Sequence, residues 1–114
     1  MIDISHSIFV YAPCVDMRKS INGLSILVRL SGHLFEPGKA FVFLNKGRDK
    51  IKILVKENNG FVLLYKRLDA GQFKLSFSST TAIVLTQQQL RWLLDGLDYV
   101  SLTPLKTPPP KHYF

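Results

Sequence analysis

Basic side chains dominate the middle of this sequence, where they could bind the phosphates of a nucleic acid. Seven lysine and arginine residues but only two acidic residues lie between Lys46 and Arg67. Contacts of such cations with phosphates supply much of the affinity of proteins for DNA. The same charges would also protect an exposed strand edge from pairing with other chains. The segment is therefore predicted to be either a phosphate-docking surface or a solvated strand face.

Basic residues also outnumber acidic residues over the whole chain. Its 114 residues include 15 Lys and Arg against 8 Asp and Glu, which gives a net charge of +7 and a pI near 9.8. Such a balance favours a polyanionic partner, and DNA is the expected one. No apolar run in the sequence approaches the ~20 residues that span a bilayer, so no membrane association is expected. Cys14 is the only cysteine, which is typical of a protein of the reducing cytoplasm.

Residues that could support catalysis or hold a metal are scattered along the chain. His6, Cys14, His33 and His112 lack the short spacings that metal ligands have. A nuclease would need several carboxylates that converge on metal ions, and each aspartate here is explained by a helix cap or a turn. We therefore expect no catalytic residue, no metal site and no cofactor.

Hydrophobic periodicity predicts an α+β domain over residues 1–102. We expect a curved antiparallel sheet of about five or six strands, with one helix near each end of the chain. The first helix is predicted to run from an Asp16 N-cap to about Leu30, and the second to follow a capping box that begins at Thr86. The proline-rich residues 103–114 are predicted to form a mobile tail. The predicted strands cover residues 8–11, 40–44, 51–56, 61–68, 73–77 and 81–85.

Asn59 and Gly60 are the strongest hairpin signal in the sequence, because both residues tolerate a positive φ. With these two residues as the turn, Lys52 would pair with Arg67. Alternate side chains of a strand point to opposite faces, so the hairpin should have one basic and one apolar face. Lys66 is the exception, because it falls on the apolar face and must either extend outward or lie at a sheet edge. The basic face is predicted to carry Lys50, Lys52, Lys56 and Arg67, with Tyr65 among them.

The predicted phosphate-binding surface combines this basic face with three further residues, Arg18, Lys19 and Arg48. Tyr65 is a candidate for stacking on a base, although aromatic residues at such positions more often belong to a core. Arg91 and Trp92 on the second helix are a candidate anchor for a partner protein, with burial in the core as the alternative.

Several motifs together resemble a known family. Asp-Met-Arg-Lys at residues 16–19, followed by Asn-Gly-Leu at residues 22–24, is similar to a signature near the start of TnpB-type accessory proteins of IS-sixty-six-type insertion sequences. The similarity extends over about residues 8–98 with compatible spacing. Further matches in the same order lie at residues 41–43, 48–54, 60–61, 64–68, 71–73, 85–86 and 89–98.

The resemblance implies a non-catalytic accessory protein of transposition, and it brings no catalytic residue with it. The transposase of the same element is then an expected partner beside DNA, and a second copy of the chain is a further candidate. Two functions stay open at this point. One is DNA binding through the basic hairpin face, and the other is an adaptor that docks onto the transposase without contacting DNA.

Overall fold

The computed structural model of the protein describes residues 7–75 and 83–96. The proline-rich tail predicted for residues 103–114 and the end of the strand predicted for residues 73–77 lie outside the described residues. The described part of that strand, up to Leu75, is irregular instead. Within the described residues, the elements in chain order are β1 (Ile8–Val10), α1 (Ile21–Leu30), β2 (Ala40–Leu44), β3 (Lys50–Glu57), β4 (Gly60–Arg67), β5 (Ile83–Leu85) and α2 (Gln87–Leu94).

The described strands form one sheet of five in the order β4-β3-β2-β1-β5. The α+β class and the strand number agree with the prediction, but the expectation of a wholly antiparallel sheet is wrong. β1 and β2 pair in parallel, with Ile8 opposite Ala40, while the other neighbours are antiparallel. The reason is that α1 carries the chain back to the start of β1 before β2 begins, as a crossover connection requires. The sheet is therefore mixed.

Each face of the sheet is covered by one helix. Leu24 and Val28 of α1 are fully buried against Phe41, Phe43 and Leu54 on one face. The opposite face packs against α2, and its core includes Val42, Ile53, Phe73, Leu90 and Leu93. Because both faces of β2 are covered, all five of its residues are apolar and buried.

The turn of the β3–β4 hairpin is one residue away from its predicted position. Glu57 pairs with Gly60, so Asn58 and Asn59 form the turn, and neither of them has a positive φ. This register sets Ile53 opposite Leu64, where the predicted one would have set it opposite Lys66. Apolar cross-strand contacts thus outweigh the local preference of Asn-Gly. Moving the turn by one residue shifts every partner by two, so the predicted assignment of side chains to faces is retained.

Lys66 lies on the α2 face of the sheet, as predicted, and its side chain is exposed. Its Nζ donates a hydrogen bond of 2.6 Å to the carbonyl oxygen of Leu94. Leu94 is the last residue of α2, where unpaired carbonyls and the helix dipole favour a cation. The basic residue on the apolar face therefore caps a helix.

The two helices begin differently from each other. α1 starts at Ile21 with Ser20 as its N-cap, so the prediction that Asp16 begins the helix is wrong. Asp16 instead begins a separate turn, in which its carbonyl accepts a hydrogen bond of 3.1 Å from the Lys19 amide. The capping box of α2 is confirmed, because the side chain of Thr86 accepts from the Gln89 amide at 3.0 Å and that of Gln89 accepts from the Thr86 amide at 2.9 Å. Neither described helix has the length and apolar character needed to cross a membrane.

Candidate nucleic-acid interface

A tightly bonded turn of residues 45–49 connects β2 to β3 and forms one end of the sheet. The Asn45 side chain donates a hydrogen bond of 2.7 Å to the Asp49 carboxylate and accepts one of 3.1 Å from the Lys50 amide. Arg48 has a φ of 58°, and among the described residues it is the one non-glycine in the left-handed region. This turn is therefore held in one conformation, with the Lys46 side chain exposed on it.

Arg48 was predicted to contact a phosphate, but it forms hydrogen bonds to the backbone of the protein itself. Its Nη1 donates a hydrogen bond to the carbonyl oxygen of Leu75. Its own carbonyl accepts a hydrogen bond of 2.6 Å from the Phe73 amide. Phe73 and Leu75 are both buried in the α2 core. Arg48 therefore attaches the irregular segment that carries these two residues to the end of the sheet.

A second turn consists of residues 16–19, the Asp-Met-Arg-Lys part of the first motif that resembles the family. The Arg18 side chain forms an ion pair with the Asp16 carboxylate at 2.6 Å, and a second bond from its Nε measures 3.0 Å. Hydrogen bonds from the Arg18 side chain and amide lower the pKa of Asp16 to about 2. The carboxylate is therefore ionised at neutral pH. The Arg18 side chain is still 91% exposed, so it remains accessible to a second anion.

Lys52 attaches this turn to the sheet. It was predicted to lie on an exposed basic face, and that position is wrong, because Lys52 is only 9% exposed. Its Nζ donates hydrogen bonds of 2.6 and 2.7 Å to the carbonyl oxygens of Met17 and Lys19. The 16–19 turn and α1 cover this face of the sheet, and the buried ammonium satisfies two backbone acceptors there.

The two turns and the hairpin surround an open depression of about 520 Å³. Three cations from two parts of the chain line it: Arg18 from the 16–19 turn, and Lys46 and Lys50 from the 45–49 turn and the start of β3. Arg67 pairs directly with Lys50, so it lies on the same face of the hairpin. We call the group consisting of Arg18, Lys19, Lys46, Lys50 and Arg67 the basic end. The full lining of the depression is Val15, Asp16, Met17, Arg18, Asn45, Lys46, Gly47, Lys50 and Tyr65.

Lys46 belongs to the basic end, although the reasoning from strand faces did not select it. It lies in the turn before β3, where alternation along a strand assigns no face. The signal in the sequence was its place in the same basic run as Lys50. The two turns thus add exposed cations to those of the hairpin.

Three other predicted residues lie away from the basic end. Lys56 is six residues from Lys50 along β3, which corresponds to about 20 Å in a strand. Its Nζ lies 4.9 Å from the centre of the Phe61 ring. Trp92 is buried in the α2 core, so its prediction as an exposed anchor is wrong and the alternative of core packing is confirmed. Arg91, its neighbour on α2, is exposed.

The acidic side chains near the basic end serve as ion-pair partners of its cations. Asp16 pairs with Arg18, and the Asp49 carboxylate lies 3.3 Å from the Lys50 Nζ. Within residues 7–75 and 83–96, no group of three or more His, Cys, Asp or Glu side chains is arranged to hold a metal ion. The chemistry that this arrangement offers is the binding of anions.

Comparisons with known proteins agree with the family resemblance that the sequence motifs indicate. The chain is 32% identical over 105 residues to the uncharacterized protein y4jC of Sinorhizobium fredii, and the alignment covers 89% of each chain. It is 34% identical over 62 residues to the uncharacterized protein y4hO of the same organism, with 54% of each chain covered. No solved structure matches the chain. The model of the IS66 Orf2 like protein family matches residues 6–104. The chain therefore belongs to the IS66 Orf2-like family of insertion-sequence accessory proteins.

Proposed function

We propose that this protein is a non-catalytic accessory factor of transposition that binds the DNA backbone through its basic end. The observation that carries the proposal is the meeting of three chain segments at one open depression, which Arg18, Lys46 and Lys50 line and beside which Arg67 pairs with Lys50. These segments are the 16–19 turn, the 45–49 turn with the start of β3, and the end of β4. Because the two turns are hydrogen-bonded to the sheet, the cations are presented on a rigid surface.

The balance of charge in this region supports binding to phosphates. Two carboxylates, those of Asp16 and Asp49, face the five cations of the basic end. Both ion pairs are partly exposed to solvent, and exposed pairs contribute only ~0–1 kcal/mol. A phosphate could therefore replace a carboxylate as the partner of Arg18 or Lys50 at little cost in free energy.

The test is the binding of DNA by the purified protein alone, measured by fluorescence anisotropy over a series of salt concentrations. Neutralising each phosphate contributes about −0.9 to the slope of log K against log salt on duplex DNA. We therefore expect a slope of roughly −3 to −4 if most of the basic end is engaged. The absence of salt-dependent binding would contradict the proposal.

A second candidate function is that of an adaptor for the transposase, and one apolar surface favours it. Leu30 at the end of α1 is 79% exposed, and Leu34 beyond it is 73% exposed. Ile26 lies one helical turn before Leu30 and is also exposed. Ile26 and Leu30 are therefore neighbours on the surface of α1, and neighbouring exposed apolar side chains are typical of sites that contact another protein.

The adaptor function predicts that the transposase copurifies with the wild-type protein and not with a Leu30→Gln/Leu34→Gln double variant. Both residues are exposed, so the double variant should keep its fold. If DNA is bound only when the transposase is present, the adaptor function replaces the one proposed above. Salt-dependent binding of DNA by the protein alone would support the first proposal instead.

A further inference from the structure

Tyr65 is the exposed aromatic residue of the depression at the basic end. Its side chain lines the depression together with Arg18, Lys46 and Lys50, and the residue is 54% exposed. Phe61 and Leu63, on the same face of β4, pack against the α1 core. Tyr65 lies further along that face, beside Arg67 and opposite Lys52. Its ring therefore adds little to the core and is accessible from the depression.

Lys52 orients this ring. The Lys52 Nζ lies over the Tyr65 ring, 5.3 Å from its centre, and is itself fixed by the carbonyl oxygens of Met17 and Lys19. A cation at this distance is attracted to the negative face of an aromatic ring. One face of the ring thus lies against a buried ammonium, while the residue as a whole is half exposed. An aromatic ring held in this way loses less side-chain freedom when a ligand stacks on it than an unrestrained ring would.

We propose that the depression binds an unpaired nucleotide, with its base stacked on Tyr65 and its phosphates held by Arg18, Lys46 and Lys50. This inference rests on the proposed DNA binding and names single-stranded DNA as the substrate class. The bases of an intact duplex already stack on their neighbours, so their faces are closed to an aromatic side chain. A basic surface with an aromatic platform is the arrangement by which proteins bind single strands without reading their sequence. The volume of about 520 Å³ lies within the range of ~300–1,000 Å³ found for small-ligand sites.

The test compares an oligothymidylate with a DNA duplex of the same length at one salt concentration. Stacking of a single base on an aromatic side chain contributes roughly 5- to 150-fold in affinity. We expect wild-type protein to bind the oligothymidylate about 10-fold more tightly than the duplex. Tyr65→Leu should remove this preference, so that the affinities for the oligothymidylate and the duplex become equal within about twofold. Tyr65→Phe keeps the ring and should keep the preference.

The outcomes separate this inference from the proposed function. Equal affinity for single strand and duplex, unchanged by Tyr65→Leu, would overturn the stacking role and leave DNA binding intact. Failure to bind either DNA would overturn both. If Tyr65→Leu fails to fold, NMR of the wild-type protein tests directly whether a base stacks on Tyr65. The ring protons of Tyr65 should shift upfield when oligothymidylate is added, and unchanged ring signals in a bound sample would contradict stacking.

Discussion

Replacement of Lys46, Lys50 and Arg67 together by glutamine is expected to weaken DNA binding by about 10- to 100-fold at low salt. The three side chains lie at one end of the sheet, and fewer counterions are released on binding when fewer phosphates are neutralised. The slope of log K against log salt should therefore become less negative by about one for each phosphate that the variant no longer neutralises. Fluorescence anisotropy with labelled DNA over a salt series measures both quantities.

A charge-matched variant separates the position of the charges from their number. Arg29, Lys74 and Arg91 are exposed cations outside the basic end. Replacing these three by glutamine lowers the net charge by the same amount, and we expect affinity to change less than about threefold. Equal reductions of affinity in the two variants would mean that total charge, and not the basic end, governs binding. Circular dichroism of both variants verifies that they are folded.

Replacement of Lys52 by methionine is expected to lower the free energy of unfolding by about 2–3 kcal/mol. Methionine keeps the apolar stem but removes the ammonium that donates to the carbonyl oxygens of Met17 and Lys19. Those acceptors would be left without a charged donor, and the 16–19 turn would be detached from β3. For a chain of this size, the melting temperature should fall by about 8–15 °C in a thermal unfolding experiment.

Two opposing effects determine how Lys52→Met changes the free energy of unfolding. Burying a charge costs free energy, and an apolar replacement of a buried ion sometimes stabilises a protein. The two short hydrogen bonds are the reason to expect destabilisation here, because charged donors make the stronger bonds. Lys56→Met is the matched control, since Lys56 lies on the same face of β3 and is only half-buried. A Lys52→Met variant as stable as Lys56→Met would show that the desolvation cost offsets the two bonds.

Periodicity predicted which hairpin side chains share a face but not what covers that face. Lys50, Lys52 and Tyr65 were assigned correctly to one side, because alternation survives a shift of the pairing by two residues. α1 packs over that side, and the sign of this in the pattern of β3 is Leu54, which lies between Lys52 and Lys56 on the same side and is fully buried. The burial of Lys52 follows from this long-range contact, so local reasoning treated it as one more exposed cation.

The candidate site could be predicted only in part for the same reason. Its hairpin residues lie in one basic run of the sequence, and that run identified Lys50 and Arg67. Arg18 lies about 30 residues earlier, and nothing in the local sequence pattern indicates that it lies next to the hairpin. The fold explains why that motif and the basic run belong together. Lys52 donates hydrogen bonds to the turn that contains the motif, so the two segments form one surface.

The parallel pairing of β1 and β2 shows a further feature that the sequence alone could not predict. Apolar runs predict that a segment is a strand, but they do not determine its direction relative to a neighbour. β1 has three residues and β2 has five, and their pairing depends on the path of α1 between them. The capping box of α2, by contrast, depends on residues within a few positions of each other. That is why Thr86 and Gln89 could be identified from the sequence.

Mapping the DNA-binding surface by NMR tests the central proposal most directly. Amide signals of the 15N-labelled protein would be followed while unlabelled DNA is added at low salt. We expect shifts at residues 16–19 and 45–50 and around Tyr65 and Arg67, with the signals of α2 unchanged. Shifts confined to α2 or to the C-terminal end of α1, or no shifts at all, would contradict DNA binding through the basic end.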